Sequence, residues 1–143
     1  MKVFVDADAC PVVDITVRLC KNAKIECVLL CDTAHEIRRE GVETLVFDKG
    51  ADSVDFALVN RVSPGDIVIT QDYGLASMCL AKQASVLHQD GWAYTEDNIG
   101  ALLFQRHESK RYRMAGGRVK GPSKRRAEQD RAFEAALQQL VQG

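Results

Sequence analysis

The chain has 143 residues, enough for one domain with a hydrophobic core but too few for two of ordinary size. Hydrophobic residues make up 46% and charged residues 27% of the sequence, which is typical of a soluble globular protein. The sequence shows no basic leader before an apolar stretch and no apolar run of membrane-spanning length. We therefore expect a cytoplasmic protein and not a secreted or membrane-spanning one.

The cysteines indicate a reduced protein. There are five of them, at positions 10, 20, 27, 31 and 79, and none form a CxxC pair. An odd number without such pairing favours neither a disulfide framework nor a zinc site. We expect reduced thiols that are mostly buried.

The net charge of −1 conceals two segments of opposite charge. Residues 1–105 hold 9 basic and 16 acidic side chains, for a net charge of −7. Residues 106–143 hold 10 basic and 4 acidic side chains, for a net charge of +6. This asymmetry suits a protein that binds metal in one place and a polyanion in another, but a solvated C-terminal helix accounts for it equally well.

Short apolar runs alternate with helical patterns along the first ninety residues. The predicted strands cover 2–6, 25–31, 43–47, 66–70 and 84–88, and the predicted helices cover 11–22, 34–40, 53–62 and 73–82. This order predicts a three-layer α/β/α sandwich around a mostly parallel sheet. Right-handed crossovers then place the carboxyl ends of the strands at one edge, where open α/β sheets bind ligands.

The pattern becomes helical after residue 94. Thr95 followed by Glu96 and Asp97 is typical of a capped helix start, and this helix is predicted over 96–111. Residues 112–126 are basic and contain Gly-Gly and Gly-Pro, which predicts a mobile loop. A final helix over 127–141 carries an apolar stripe and is expected to dock on a core, so that 1–143 forms a single domain.

The strongest candidate site lies at the end of the first strand. An apolar run leads directly into Asp6 and Asp8, and Pro11 follows where a helix is expected to begin. Alternation along an extended chain places the two carboxylates on one side. Because two like charges held this close repel one another, the pair indicates a site for a divalent cation.

Further acids follow the later strands. Asp48 ends the third predicted strand, Asp52 and Asp55 flank the next helix start, and Asp72 follows the fourth strand. Each acid has an alternative role as a helix cap, since aspartate is a favoured N-cap residue. Only Asp6 lies too far from a helix start for that role.

A parallel sheet would gather these acids at one edge. The predicted metal ligands are Asp6, Asp8, Asp52, Asp55 and Asp72, and among them Asp6, Asp8 and Asp72 are the predicted catalytic residues. Oxygen-only ligands suit Mg²⁺ or Mn²⁺. Such ions assist in-line displacement at phosphorus, so the chemistry that fits is phosphodiester hydrolysis.

Basic side chains of the C-terminal segment are candidate contacts to nucleic-acid phosphates. They are Arg111, Arg113, Arg118, Lys120, Lys124, Arg125 and Arg126. A solvated basic loop is the alternative.

The other candidate residues are expected to be structural. The three histidines show no ligand spacing, and Cys10 is expected to be a buried structural thiol. Trp92 and Tyr94 are expected to be core aromatics.

The sequence resembles a known family. VDADACPV at 5–12 looks like the opening of the YaiI/YqxD family, also called UPF0178 or DUF188, whose function is unknown. The resemblance continues through GADSVD at 50–55, PGDIVITQD at 64–72, TEDNI at 95–99 and DRAF at 130–133. It spans nearly the whole chain, and its opening motif is specific.

That family is considered similar to PIN-like domains, which are metal-dependent ribonucleases with an α/β/α fold. The resemblance implies that Asp6 is the first-strand acid, Asp52 or Asp55 the middle acid, and Asp72 the acid after the fourth strand. The fourth PIN acid has no clear counterpart, although Asp90 and Glu96 are candidates. The number of metal ions therefore stays open.

Three functions remain at this point. The first is a Mg²⁺- or Mn²⁺-dependent nuclease that acts on RNA in preference to DNA. The second is a haloacid-dehalogenase-like phosphatase with Asp6 as nucleophile and Asp8 as general acid, although the residues that usually follow that motif are absent. The third is a non-catalytic module that binds nucleic acid or protein on a PIN-like scaffold.

Overall fold

The computed structural model describes residues 1–49, 53–118 and 124–143. Strands and helices alternate along much of these residues, but β3 follows β2 and β6 follows β5 without a helix between them, and the last two elements are both helices. The elements are β1 (Lys2–Asp6), α1 (Val13–Ala23), β2 (Glu26–Asp32), β3 (Glu43–Phe47), α2 (Ser53–Arg61), β4 (Ile67–Ile69), α3 (Tyr73–Ala81), β5 (Ser85–Leu87), β6 (Ala93–Tyr94), α4 (Glu96–Met114) and α5 (Ala127–Gln142).

The strands form one sheet in the order β3-β2-β1-β4-β5-β6. The first five strands pair in parallel, and only the short β6 runs antiparallel to its neighbour β5. The prediction of an α/β sandwich with a mostly parallel sheet and C-terminal helices is confirmed. Strand β6 has two residues and was not predicted, because so short a run carries no alternation pattern.

The sheet carries a hydrophobic core on each face. Val3 and Val5 of β1 belong to the core that contains α1 and α5, and Phe4 belongs to the core that contains α2 and α3. This division follows from the alternation of side chains along a strand. Helix α5 docks on its face through Phe133 and Leu137, both of which are fully buried.

The helix predicted over 34–40 is wrong. This segment consists of turns and irregular backbone between β2 and β3. Ile37 is its only large apolar residue that packs against the core. Since a short helix depends on burying an apolar face, a segment with one such residue lacks the packing that would hold it helical.

Other element bounds differ by a few residues. Helix α1 begins at Val13, because Ala9 adopts a φ of 55° and Cys10 closes a turn onto Ala7 before the helix starts. Helix α4 continues to Met114, so the first three residues of the predicted loop 112–126 are helical.

All five cysteines are free, as predicted. Among the described residues, no helix combines the length and apolar character needed to cross a membrane.

Candidate functional site

A cavity of about 460 Å³ opens at the carboxyl edge of the parallel strands. Five carboxylates and one guanidinium line it, together with Val54, Gln71 and Tyr73. The charged residues are Asp6, Asp8, Asp32, Asp55, Asp72 and Arg106. The cavity is therefore strongly acidic, and its acids come from separate parts of the sequence.

Parallel strands bring these acids together. Asp6 is the last residue of β1 and Asp32 the last residue of β2, while Asp72 follows β4 and Asp55 lies in the first turn of α2. Asp6 is two residues beyond Phe4, so alternation directs it to the face of the sheet that α2 and α3 cover. The site thus lies where ligands of open α/β sheets bind.

Thr70 connects two of the acids. Its hydroxyl donates a hydrogen bond of 2.9 Å to Oδ2 of Asp6. The hydroxyl oxygen, Oγ1 of Thr70, accepts a bond of 3.0 Å from the backbone N–H of Asp72. The Thr70 carbonyl in turn accepts a bond from the hydroxyl of Tyr94. Because Thr70 is buried, these bonds fix the relative positions of both carboxylates.

Asp72 is both a helix cap and a cavity residue. Its Oδ1 accepts hydrogen bonds from the backbone N–H groups of Gly74 at 2.9 Å and Leu75 at 3.2 Å, at the start of α3. The same oxygen lies 3.1 Å from Nη1 of Arg106, which reaches it from α4. The cap interpretation of Asp72 is therefore correct and does not compete with its place in the cavity.

Asp8 lies in a second group of side chains with Asp32 and His35. Oδ1 of Asp8 accepts a bond of 3.3 Å from the backbone of Asp32, and Nδ1 of His35 lies 3.0 Å from Oδ1 of Asp32 and 3.9 Å from Oδ1 of Asp8. One ligand atom from each of the three residues falls within 4.8 Å of the others. The geometry therefore brings a histidine to the edge of the acidic cavity.

The electrostatics of the cavity favour protonation of Asp6. Desolvation by burial is the largest cause, and the negative charges of Asp55, Asp8 and Asp72 act in the same direction. Although the hydrogen bond from Thr70 opposes them, the pKa of Asp6 rises from 3.8 to about 7. A cation in the cavity would reverse this balance, because it stabilises the ionised form.

The pKa values of the neighbouring acids Asp8 and Asp32 shift in opposite directions. Desolvation raises the pKa of Asp8, in spite of the hydrogen bond from the backbone of Asp32. Desolvation also acts on Asp32, but hydrogen bonds from His35 and the backbone of Ala34 outweigh it and lower the pKa of that carboxyl. The cavity thus combines one acid that holds its proton with another that readily loses it.

The structure brings together four of the five predicted metal ligands, namely Asp6, Asp8, Asp55 and Asp72. The fifth, Asp52, lies outside the described residues, as does Lys120 among the predicted phosphate contacts. Asp48 is exposed and does not line the cavity.

The two candidates for a fourth PIN acid lie elsewhere. Asp90 forms an ion pair of 2.8 Å with Arg125, and Glu96 lies exposed in the first turn of α4. The additional carboxylate in the cavity is instead Asp32. Sequence reasoning missed it although a signal was present, since Asp32 directly follows an apolar run just as Asp6 does.

Sequence reasoning also missed Arg106 and His35. Arg106 is one of several basic residues on an exposed helix, and only the position of α4 against α3 brings it to the cavity. His35 reaches Asp32 through a local turn in which Oδ1 of Asp32 accepts bonds from the backbone N–H groups of residues 34 and 35. Such a turn has no clear sequence pattern.

The predicted phosphate contacts fall into two groups, which differ in the exposure of their side chains. Arg111 and Arg113 lie exposed on α4, and Arg118, Lys124 and Arg126 are exposed in the segments beyond it. Arg125 is different, because only 23% of its side chain is exposed. It bonds Asp90 and Asp130 at 2.8 Å each, and also the carbonyl oxygen of Gln89. These bonds give Arg125 a structural role.

The remaining candidates are structural. Burial raises the pKa of the Cys10 thiol to about 11, so this thiol is not activated. Thr95 caps the start of α4, as the helix-start pattern predicted, and Asn98 completes a capping box with it. Trp92 stacks on His88 with ring centres 4.4 Å apart and contacts Tyr94 edge to face, so it belongs to an aromatic cluster next to the core.

Comparison with known proteins gives the relationships of the chain. Residues 4–143 match the family described as "Uncharacterized BCR, YaiI/YqxD family", DUF188. A UPF0178 protein of Exiguobacterium sibiricum is 49% identical over 141 residues, which cover 99% of this chain and 96% of the relative. A UPF0178 protein of Clostridium acetobutylicum is 48% identical over 99% of this chain and 97% of its own length. A UPF0178 protein of Bacillus cereus is 42% identical over 99% of this chain and 99% of its own length. The names of these relatives state no activity. The chain belongs to the YaiI/YqxD family.

Proposed function

We propose that the protein hydrolyses phosphodiester bonds, with RNA as the expected substrate and Mg²⁺ or Mn²⁺ as the cofactor. The observation that supports this function best is the meeting of five aspartates in one cavity of about 460 Å³. They come from the ends of β1, β2 and β4 and from the start of α2. So many carboxylates in a half-buried space are unfavourable unless a cation offsets their charge.

The donor set fits a hard divalent cation. Asp6, Asp55 and Asp72 offer carboxylate oxygens from three different elements, and hard oxygen ligands suit Mg²⁺ and Mn²⁺. We assign these three residues as the ligands, with Asp8 as a further ligand or as the group that orients a water molecule. When bound, the cation supplies charge neutralisation for the phosphodiester and a lower pKa for water.

The protein's own residues position the acids and attract the substrate. Thr70 holds Asp6, and the first turn of α3 holds Asp72 through backbone N–H groups. The exposed basic side chains Arg118, Lys124 and Arg126 add positive charge beyond α4. Such charge favours a polyanionic strand and makes binding depend on salt concentration.

Two alternatives make different demands on the same cavity. A phosphatase of the haloacid-dehalogenase type would form an aspartyl-phosphate on Asp6, and trapping that intermediate would support it. No lysine is among the described residues that line the cavity. A non-catalytic module would bind RNA without metal, whereas an acidic cavity repels a polyanion until a cation neutralises it.

The test is cleavage of end-labelled single-stranded RNA in the presence of Mn²⁺ or Mg²⁺, followed by gel electrophoresis. We compare the wild type with Asp6→Asn, which keeps the size of the side chain and removes its charge. The matched control is Asp48→Asn, because Asp48 is an exposed aspartate that does not line the cavity. We expect Asp6→Asn to lose at least about a hundredfold in rate and Asp48→Asn to match the wild type.

Contamination and misfolding need their own controls. Each variant is purified identically, and its melting temperature is measured before the assay. Cleavage that is equal in the wild type and Asp6→Asn, or that persists in excess EDTA, would contradict the proposed function. RNA binding that survives EDTA without any cleavage would favour the non-catalytic module.

A further inference from the structure

A second cavity adjoins the acidic one. It measures about 380 Å³ and shares Asp55, Asp72 and Arg106 with the first. The rest of its lining has a different character, consisting of Phe56 on α2 and of Gly74, Leu75 and Met78 on α3. The two cavities are therefore neighbouring parts of one cleft, one half acidic and the other largely apolar.

The apolar half presents large side chains to solvent. Phe56 is 60% exposed and Met78 is 38% exposed, whereas Leu75 of the same lining is buried. An aromatic ring and a thioether next to each other offer a favourable surface for a flat, polarisable ligand. Their position beside the acids distinguishes them from Phe104, which is 66% exposed on α4 but lines neither cavity.

Arg106 lies at the boundary between the two halves. Its Nη1 lies 3.1 Å from Oδ1 of Asp72, yet 57% of its side chain remains exposed. Gly74 leaves the space for this contact, because a Cβ at that position would come within 3.3 Å of both Nη1 and Oδ1. A guanidinium held in this way can still bind a phosphate group with its remaining N–H donors.

We propose that the apolar half of the cleft holds an unpaired base of the nucleic-acid substrate while Arg106 contacts a phosphate of the same nucleotide. A nucleotide has an anionic group next to a flat ring, which matches a guanidinium beside Phe56 and Met78. The volume of about 380 Å³ falls within the roughly 300–1,000 Å³ of small-ligand sites. This inference rests on the proposed function, because it assigns the substrate of the same acids.

The consequence is a preference for single strands. A base inside a duplex is paired and stacked, so it reaches a protein pocket only after it leaves the helix, at a cost in free energy. A base of a single strand can stack on an aromatic side chain directly. The cleft should therefore select single-stranded segments and bind paired ones poorly.

The test uses a small probe, adenosine 5′-monophosphate, and methionine methyl signals of the whole protein in saturating Mg²⁺. The chain has three methionines, and only Met78 lines the cleft, so Met1 and Met114 serve as internal references. Titration with the nucleotide should shift the Met78 signal alone. Ribose 5-phosphate, which lacks the base, should bind at least about tenfold more weakly.

Two exposed phenylalanines provide matched variants. Phe56→Ala should weaken binding of adenosine 5′-monophosphate about tenfold and leave ribose 5-phosphate unaffected, whereas Phe104→Ala should change neither. Arg106→Ala should weaken both probes, since both carry the phosphate. Melting temperatures establish that each variant is folded.

The outcomes separate this inference from the proposed function. A Met78 shift that depends on the base and on Phe56 supports the pocket, whether or not RNA is cleaved. The absence of RNA cleavage would contradict only the proposed nuclease activity. A Met78 signal that does not move, or equal binding of the two probes, overturns the pocket even if RNA is cleaved. Equal loss of nucleotide binding in Phe56→Ala and Phe104→Ala would also overturn it.

Discussion

The hydroxyl of Thr70 donates a hydrogen bond of 2.9 Å to Oδ2 of Asp6. The hydroxyl oxygen of Thr70 also accepts a hydrogen bond of 3.0 Å from the backbone N–H of Asp72, so one buried side chain ties the end of β1 to the start of α3. Because a hydrogen bond to the charged form favours ionisation, Thr70 partly offsets the burial of Asp6. It therefore acts as a positioning residue for the proposed metal centre.

Replacement of Thr70 tests that role. Thr70→Val keeps the shape of the side chain and removes the hydroxyl, so the pKa of Asp6 should rise further and Mn²⁺ should bind about tenfold more weakly at pH 7. Thr70→Ser retains the hydroxyl and should stay within about threefold of the wild type. Isothermal titration with Mn²⁺ measures both affinities, and equal affinities in the two variants would contradict the role.

The raised pKa of Asp6 predicts an unusual dependence of stability on pH. Below about pH 4 both the folded and the unfolded chain hold the proton, so Asp6 has no effect. Between about pH 4 and 7 the unfolded chain releases the proton and the folded chain retains it, so stability should fall as pH rises. The loss should reach at most about 4 kcal/mol above pH 7, without metal.

Denaturant unfolding in EDTA between pH 5 and 8 measures this dependence. Asp6→Asn cannot ionise, so its free energy of unfolding should vary less with pH and should exceed that of the wild type at pH 8. Asp48→Asn should keep the pH dependence of the wild type. An Asp6→Asn curve that runs parallel to the wild type would contradict the assignment of the raised pKa.

A divalent cation should reverse the effect of pH. The ion competes with the proton on Asp6, so affinity should increase about tenfold between pH 6 and pH 8, across a pKa of about 7. At a free Mn²⁺ concentration of 100 times the dissociation constant, binding should stabilise the fold by about 2.7 kcal/mol. Thermal unfolding with and without Mn²⁺ measures this gain, which Asp6→Asn should largely abolish.

Those features of the site that depend on local sequence could be predicted. Asp6 and Asp72 each follow an apolar run that ends at the carboxyl edge of the sheet, and the order of strands and helices places those ends together. The same rule applies to Asp32. The parallel sheet itself followed from the alternation of apolar runs with helical patterns.

Features that depend on packing between distant segments could not be predicted. Arg106 reaches Asp72 only because α4 lies against α3, and nothing in its neighbourhood distinguishes it from Arg111 or Arg113. Arg125 stands in a basic run but bonds Asp90, 35 residues earlier. The place of segment 34–40 between two predicted strands favours a helix, although too little apolar surface is available to hold it in that form.

Alanine substitutions of the adjacent residues Arg125 and Arg126 should therefore have different effects on stability and on RNA binding. Arg125→Ala removes bonds to Asp90, Asp130 and Gln89, so it should lower the free energy of unfolding by about 1–3 kcal/mol. Arg126 is exposed, so Arg126→Ala should leave stability within about 0.5 kcal/mol of the wild type and weaken RNA binding. Denaturant unfolding and the salt dependence of RNA binding measure the two effects. A destabilised Arg126→Ala with an unchanged Arg125→Ala would contradict this division.

Gly91 should be essential for the docking of α5. It turns the chain between β5 and β6 with a φ of 93°, and a Cβ there would lie 2.5 Å from the carbonyl carbon of Ala132. Gly116 has the same φ of 93° but has nothing within 4 Å of such a Cβ. Gly116→Ala should therefore cost about 1 kcal/mol from backbone strain alone, whereas Gly91→Ala should cost about 2–4 kcal/mol because it also displaces α5. Denaturant unfolding of both variants measures the difference in their free energies of unfolding. Equal losses would contradict the role of Gly91 in docking α5, because α5 would then move aside at no cost in free energy.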